Sequence, residues 1–256
     1  MHLESEHLYI DSLESTPLVP VRLRKESPKI WCKLEFLNPS GSTKDRIAKY
    51  ILEKAWRAGK IKLGSQVVEA SSGSTSIAMA LVCAQLGLKF CAVMPQGVSS
   101  ERVLIIKGYG GEVILSPKEE GIRGSMRIAE ERESQGAYYP RQFENPDNVR
   151  AHQEGTGREI LAQIPGRNVD LFVCGVGTGG TIMGLYKAFT EAGCQVQAFA
   201  AMPISSFAFA GIECNSFSTK IPGVLDSISK LYDPHYFGTP LKSGSMIFKY
   251  LKPPVV

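Results

Sequence analysis

The sequence predicts an α/β protein built on open, twisted, mainly parallel sheets flanked by helices, and three observations carry that expectation. Short β-branched or apolar runs recur along the chain, each followed by a longer segment with apolar residues at three- and four-residue spacing. Successive βαβ units produce that alternation. A glycine-rich turn, Gly175 to Gly180, joins one such run directly to the segment after it. With 256 residues, 43% hydrophobic and 21% charged, the chain is long enough to bury a real core and lies outside the composition of disordered or fibrous proteins.

The elements follow in order. Ile30 to Phe36 alternates like a strand, and Thr43 to Ala58 places Ile47, Ile51, Leu52 and Ala55 on one helical face, with Gly59 as the stop. Gln66 to Glu69 is the next strand, and a Gly/Ser loop leads into an apolar helix from about Thr75 to Leu86. Phe90 to Met94 forms a strand, Ser100 to Gly108 a helix and Glu112 to Leu115 a strand. Glu119 to Ser134 is a longer helix with Ile122, Met126 and Ile128 turned inward. After Gln142-Phe143-Glu144-Asn145-Pro146 a long helix runs to Leu161. A strand at Leu171 to Cys174, a helix to Ala192 and a strand at Gln195 to Ala200 complete the pattern. Periodicity fades beyond about Met202, and Pro234 to Val256 mixes glycines and prolines with isolated apolar residues and supports no element.

Composition excludes several function classes. The formal charge of +4 comes from 29 basic and 25 acidic residues, and the densest basic stretch, Arg22-Leu23-Arg24-Lys25, is followed at once by Glu26; a nucleic-acid surface needs a longer unbroken patch. The six cysteines are scattered, with no C-x-x-C pair, so neither structural zinc nor a disulfide framework is expected. Met1 to Ser15 carries Glu4, Glu6, Asp11 and Glu14 and lacks the apolar run of a signal peptide. No stretch reaches the ~20 apolar residues of a membrane span. The expectation is a reduced, cytoplasmic protein without a metal, nucleic-acid or membrane partner.

Three loops carry chemistry. The strand at Leu171 to Cys174 runs into Gly175-Val176-Gly177-Thr178-Gly179-Gly180-Thr181 and then a helix. Glycines let the backbone approach an anion, and the first turn of the helix offers free N–H groups and the favourable end of its dipole. The loop reads as a phosphate cradle in preference to a ligand-free strand-to-helix turn; the sequence disfavours a dinucleotide and excludes a Walker-type loop. The acidic residue a dinucleotide fold places ~20 positions on is absent at Ala200-Ala201, and no lysine follows Gly180. In the second loop, Asn38-Pro39-Ser40-Gly41-Ser42-Thr43-Lys44-Asp45-Arg46, a lysine occupies the first helical turn. The dipole disfavours a cation there unless the amine is neutral or covalently engaged, as a Schiff-base lysine is. Lys49 and Lys54 in the same helix read as solvated. The third loop, Ser71-Ser72-Gly73-Ser74-Thr75-Ser76, has five hydroxyls in six residues, more than one helix cap uses, and suits a carboxylate.

One phosphate, one imine-forming lysine and one carboxylate pocket describe pyridoxal phosphate acting on an amino acid. From about Thr16 to about Asp226 the sequence resembles the cysteine synthase and cystathionine β-synthase family, the fold-type-II pyridoxal-phosphate enzymes. That resemblance implies two domains. Residues 36–149 form a smaller mobile domain with the carboxylate loop, and residues 1–35 and 150–256 a larger one with the phosphate loop. It makes Lys44 the catalytic, cofactor-holding lysine and Ser74 with Gly177, Thr178, Gly179, Gly180 and Thr181 the cofactor contacts. Ser71, Ser72, Gly73, Thr75 and Gln142 grip the substrate carboxylate. It implies pyridoxal 5'-phosphate as cofactor, β-replacement on a serine-derived amino acid such as O-acetylserine, O-phosphoserine or serine, and a homodimer. The alternatives are β-elimination on the same residues and a non-catalytic binding protein, which visible absorbance separates. His152 reads as a helix-face residue. Two departures are visible: the family has Asn, bonding the cofactor's ring oxygen, where Ser74 stands, and the family's Ser-Ser-Gly segment, whose serine meets the pyridine nitrogen, has only a faint echo in Ser243-Gly244-Ser245 without its strand. The C-terminus is therefore expected to be shortened.

Overall fold

The computed structural model describes residues 15–203, 229–231, 241–243 and 246–250. The chain opens with an antiparallel pair, β1 (Leu18–Val21) and β2 (Ile30–Lys33), with Leu18 opposite Lys33. Pro20 in the middle of β1 hides it from a periodicity reading, since proline removes a ladder donor and confines a strand to an edge. β2 stops at Lys33 and not at Phe36, because Glu35–Leu37 tighten into a 3-10 turn.

A parallel sheet follows, built from β3 (Gln66–Ala70), β4 (Lys89–Pro95) and β5 (Glu112–Ser116) in that spatial order. The crossovers contain α2 (Ser74–Gln85) and α3 (Ser100–Gly108), and α1 (Lys44–Arg57) precedes the sheet. The pleat sends alternate residues to opposite faces. Val67, Phe90, Ala92 and Met94 pack against α1, α2 and Ile106 of α3, whereas Val68, Ala70, Cys91 and Val93 pack against α4 (Gly121–Ser134) through Ile122 and Ala129. This two-sided burial explains why the strands read as continuous apolar runs. The periodicity of α1 is used twice. Ala48, Leu52 and Ala55 face α2, and Ile47 and Ile51 meet Ala151.

The helix expected from about 147 to 161 is three pieces: α5 (Asp147–Ala151), a π-helical turn at His152–Gly157, and α6 (Arg158–Gln163). Two glycines in His-Gln-Glu-Gly-Thr-Gly weaken the regular helix, and a Cβ on Gly157 would lie 2.4 Å from Ala188 Cβ, so the wider turn seats closely on α7 (Gly180–Glu191). The second sheet has the order β6 (Leu171–Gly175), β7 (Gln197–Pro203), β9 (Met246–Tyr250), β8 (Leu241–Ser243). β6 and β7 are parallel, and β9 pairs antiparallel with both β7 and β8. The tail from Pro234 onward, expected to hold no element, thus contributes two strands. They flank Ser243-Gly244-Ser245, of which only Ser243 lies within the described residues. Its mixed prolines and glycines hide both strands, because short edge strands need only a few extended residues and a partner. Phe172 of β6 meets Phe189 of α7 edge to face at 5.4 Å.

Candidate active site

α1, α2 and α7 begin at one cleft. Two adjoining cavities of about 190 and 310 Å³ share Thr43, Lys44, Gly177 and Thr178 as lining. The smaller extends to Ser71, Ser72, Ser74, Thr75 and Gln142, the larger to Glu35, Cys174, Gly179 and Thr181. Lys44, Ser74 and Gly180 are the first residues of the three helices, so three positive dipole ends converge on one space. Gly73 and Gly180 stand behind the lining.

Lys44 donates its backbone N–H to Ser42 Oγ at 3.2 Å, and the loop before it is closed by the Ser40 N–H bond to Asp45 Oδ1 at 3.0 Å. Burial holds the Lys44 amine below its ordinary pKa, opposed by the nearby Cys174 thiol. Next along the helix, the Arg46 guanidinium occupies both oxygens of Glu35 at 2.6 and 2.8 Å and both of Glu159 at 2.6 and 2.8 Å. Burial alone would raise the Glu35 carboxyl, but Arg46 and the Thr16 hydroxyl bring it down to about 2. Its charge is therefore offset at the cavity wall.

The serine-rich loop is held from below. Ser71 Oγ accepts the N–H groups of Gly73 at 3.1 Å and Ser76 at 3.2 Å, and Arg102 Nη1 donates to Ser72 O at 2.6 Å. Gly73 has φ +142°, and a Cβ there would lie 2.4 Å from Arg102 Cδ. Gln142 is fixed at both ends of its amide: Oε1 accepts from Thr75 Oγ1 at 2.7 Å and Nε2 donates to Ala70 O at 2.7 Å. Its backbone N–H reaches Glu69 Oε2 at 3.2 Å, while Glu69 Oε1 accepts the Ala70 N–H at 2.9 Å. Glu69 is fully buried, and burial pushes its carboxyl up to about 8 against these two N–H bonds. A raised carboxyl keeps its proton in the fold while the unfolded chain loses it, so stability falls as pH rises from about the ordinary 4.5 to about 8. Thermal melts are expected to show the stability difference between wild type and Glu69→Gln falling as pH rises across that window, the subtraction removing the opposite slope that buried His152, held at about 3, gives both proteins up to about 6.5; a pH-independent difference would place the titration elsewhere.

On the other side of the cleft, Asn148 Nδ2 donates to Thr178 Oγ1 and to Gln142 O, both at 2.8 Å, linking the glycine loop to the glutamine turn. The close approach needs Gly180, where a Cβ would lie 1.8 Å from Asn148 Oδ1. Ser229 Oγ lies 3.1 Å from Phe143 O and also meets Thr178 O, while the Lys230 N–H donates to Phe143 O at 2.9 Å. These two residues tie the same two loops at the rim.

His152, read from the sequence as a helix-face residue, lies in the π-helical turn, 1% exposed and bonded through both ring nitrogens, to Thr156 and Thr181. Lys54 is exposed as expected, and its amine meets Asp147 Oδ1 at 2.6 Å, joining α1 to α5. Glu69, Asn148, Arg102 and Ser229 were not singled out from the sequence. A charged residue inside the apolar strand Gln66–Ala70 signals Glu69, and Asn148 two residues after a proline reads as a helix start. Ser229 carries no signal at all.

A family model described as pyridoxal-phosphate dependent enzyme matches residues 11–237. The cysteine synthase of Staphylococcus aureus is 40% identical over 227 residues, 85% of this chain and 73% of that protein. The O-ureido-L-serine synthase of Streptomyces lavendulae is 37% identical over 225 residues, 85% of this chain and 69% of the relative. Among solved structures, a hydrogen sulfide-producing enzyme from Fusobacterium nucleatum superposes with a TM-score of 0.79 at 35% identity, over 88% of this chain and 77% of that one.

Proposed function

The chain belongs to the pyridoxal-phosphate-dependent enzyme family, and from that premise we propose that it performs β-replacement on a serine-derived amino acid in the manner of a cysteine synthase. The observation that carries this reading is the cleft itself, where one lysine amine stands between a serine-rich loop and a glycine-rich loop at the starts of three helices.

The residues fit the cofactor on two further counts. Thr43 Oγ1, where the two cavities join, is buried without a hydrogen-bond partner among the described residues, as expected of a group awaiting a ligand. The larger cavity is lined by hydroxyls, glycine backbone and an amine, with Cys174 and Ile182 beside them, and its single carboxylate, Glu35, is offset by Arg46. Pyridoxal phosphate, when bound, supplies an aldehyde for the amines and an electron sink for charge at the substrate Cα. Lys44 Nζ would hold the cofactor and, as a free amine, would take the substrate Cα proton, for which its lowered pKa suits it. Gly177, Thr178, Gly179, Gly180 and Thr181 would hold the phosphate, and Ser74 would be a further cofactor contact. Ser71, Ser72, Gly73, Thr75 and Gln142 orient the substrate carboxylate. Residues 36–149 act as the smaller domain, closing on 1–35 and 150–256 to exclude water. A homodimer follows from the family resemblance. Among the described residues the five cysteines are unpaired, which supports a reducing, cytoplasmic setting, and no helix of those residues is long and apolar enough to cross a membrane.

The test supplies pyridoxal phosphate, O-acetylserine and sulfide and measures cysteine against pyruvate. Cysteine as the main product is expected. Pyruvate without cysteine would replace the reading with β-elimination, and a protein that stays colourless and gives neither product would be a binding protein.

A further inference from the structure

We propose that His152 is a positioning residue for cofactor binding: its Nε2–H donates to the Thr181 oxygen and so leaves the Thr181 hydroxyl proton free to point at an oxyanion on the Gly177–Thr181 loop. The proposal rests on the reading of that loop as the phosphate cradle.

His152 is fully buried, and each ring nitrogen meets one hydroxyl, Nδ1 at 3.0 Å from Thr156 Oγ1 and Nε2 at 3.2 Å from Thr181 Oγ1. Burial above all, then the charges of Lys44 and Arg46, hold its pKa down at about 3 against the pull of Glu35, so the ring is neutral at working pH. A neutral imidazole has one donor and one acceptor, which leaves two directions for the chain of bonds. If Nδ1 carried the proton, Nε2 would take the Thr181 proton and that hydroxyl would present only lone pairs to the cavity, repelling an anion. With the proton on Nε2, Thr156 donates to Nδ1, Nε2–H donates to Thr181, and Thr181 donates onward. Every member of the relay is then satisfied and its open end is a donor.

The neighbouring threonine is arranged alike. Thr178 Oγ1 also faces a buried side chain, Asn148, whose orientation is fixed because its other partner, the Gln142 carbonyl, can only accept. Asn148 must therefore donate to Thr178, whose proton is likewise left for the cavity. The backbone supports the relay. The π-helical turn carries both His152 and Thr156, and Gly184 lets α7 approach, since a Cβ there would lie 2.6 Å from His152 Cβ. π-bulges recur at functional sites for this kind of local re-aiming.

The test begins with the unmodified holoprotein. Nitrogen-15 NMR of the His152 ring, assigned by its loss in His152→Gln, is expected to show the Nε2–H tautomer from pH 6 to pH 8; the Nδ1–H tautomer overturns the proposal. Pyridoxal phosphate titrations of Thr181→Val, His152→Phe and the double variant follow. Each single variant is expected to raise Kd about tenfold, or about 1.4 kcal/mol, and the double variant no further than Thr181→Val, because the histidine acts through that hydroxyl. His152→Gln, which keeps a side-chain N–H donor, is expected to recover most of the affinity. Weakening in Thr181→Val with none in His152→Phe, or additive losses, sinks the relay but leaves the loop reading intact. Unchanged Kd in Thr181→Val and in Gly179→Asp together would remove the loop reading, and the proposal with it.

Discussion

Lys44→Ala is expected to give a folded protein that has lost both turnover and the visible absorbance of lysine-bound cofactor, whereas Lys49→Ala keeps both. Position decides the difference. Lys44 opens α1 at the cleft, where burial and the helix dipole both disfavour its charge. Lys49 lies a turn further on, 3.8 Å from Glu53. Folding survives the change because α1 is anchored by Ile47, Ala48, Ile51, Leu52 and Ala55, all buried, and alanine is the best helix former. Removal of the proton-accepting amine alone lowers turnover by on the order of 10²- to 10⁴-fold. Borohydride reduction followed by peptide mapping should find the pyridoxyl group on Lys44; its appearance on another lysine ends the assignment. The same amine sets a pH signature in the cofactor-free protein. Its folded pKa lies below the ordinary 10.5, so between the two values the unfolded chain binds more protons at this group, and the contribution of Lys44 to stability, read as wild type minus Lys44→Ala, rises as pH climbs toward 10.5.

What could be read from the sequence follows from which signals are local. β3 and β4 are covered on both faces, so burial leaves largely apolar runs that a one-dimensional pattern records. The three loops were legible for a related reason: glycines, hydroxyls and a misplaced lysine at helix starts break rules of propensity and charge that neighbouring residues obey. The side chains that hold these loops from behind left no such mark. Asn148 reaches Thr178 across 30 residues and Ser229 reaches Phe143 across 86, contacts that exist only once the two sheets are in place. His152 is the instructive case. At helical spacing it is indistinguishable from a surface residue, and what buries it is the π-helical turn together with the missing side chain of Gly184. The strands β8 and β9 escape a sequence reading because glycines and prolines surround them and because only β9 reaches β7, a non-local pairing, while β8 pairs with β9 alone.

Gly179→Asp should raise the Kd for pyridoxal phosphate by on the order of a hundredfold or more, through three effects that act on one residue. Gly179 caps α7 in the left-handed region with φ +84°, where an L side chain is disfavoured by ~1–2 kcal/mol. The new carboxylate lines the larger cavity, so a like charge faces the phosphate. Strain at the cap also tilts the first N–H groups of α7, and each hydrogen bond to a charged group is worth ~1.5–3 kcal/mol. Gly180→Ala is the informative companion. Its Cβ collides with Asn148, so Asn148 must release both Thr178 and the Gln142 carbonyl. The aspartate variant is therefore expected to weaken cofactor binding while leaving KM for the amino acid near wild type once cofactor saturates, and the alanine variant to damage both. Equilibrium titration and saturation kinetics separate the two, because only a side chain shared by the two loops can carry damage from one to the other. A normal cofactor Kd in Gly179→Asp would mean that the glycine loop cradles something other than a phosphate.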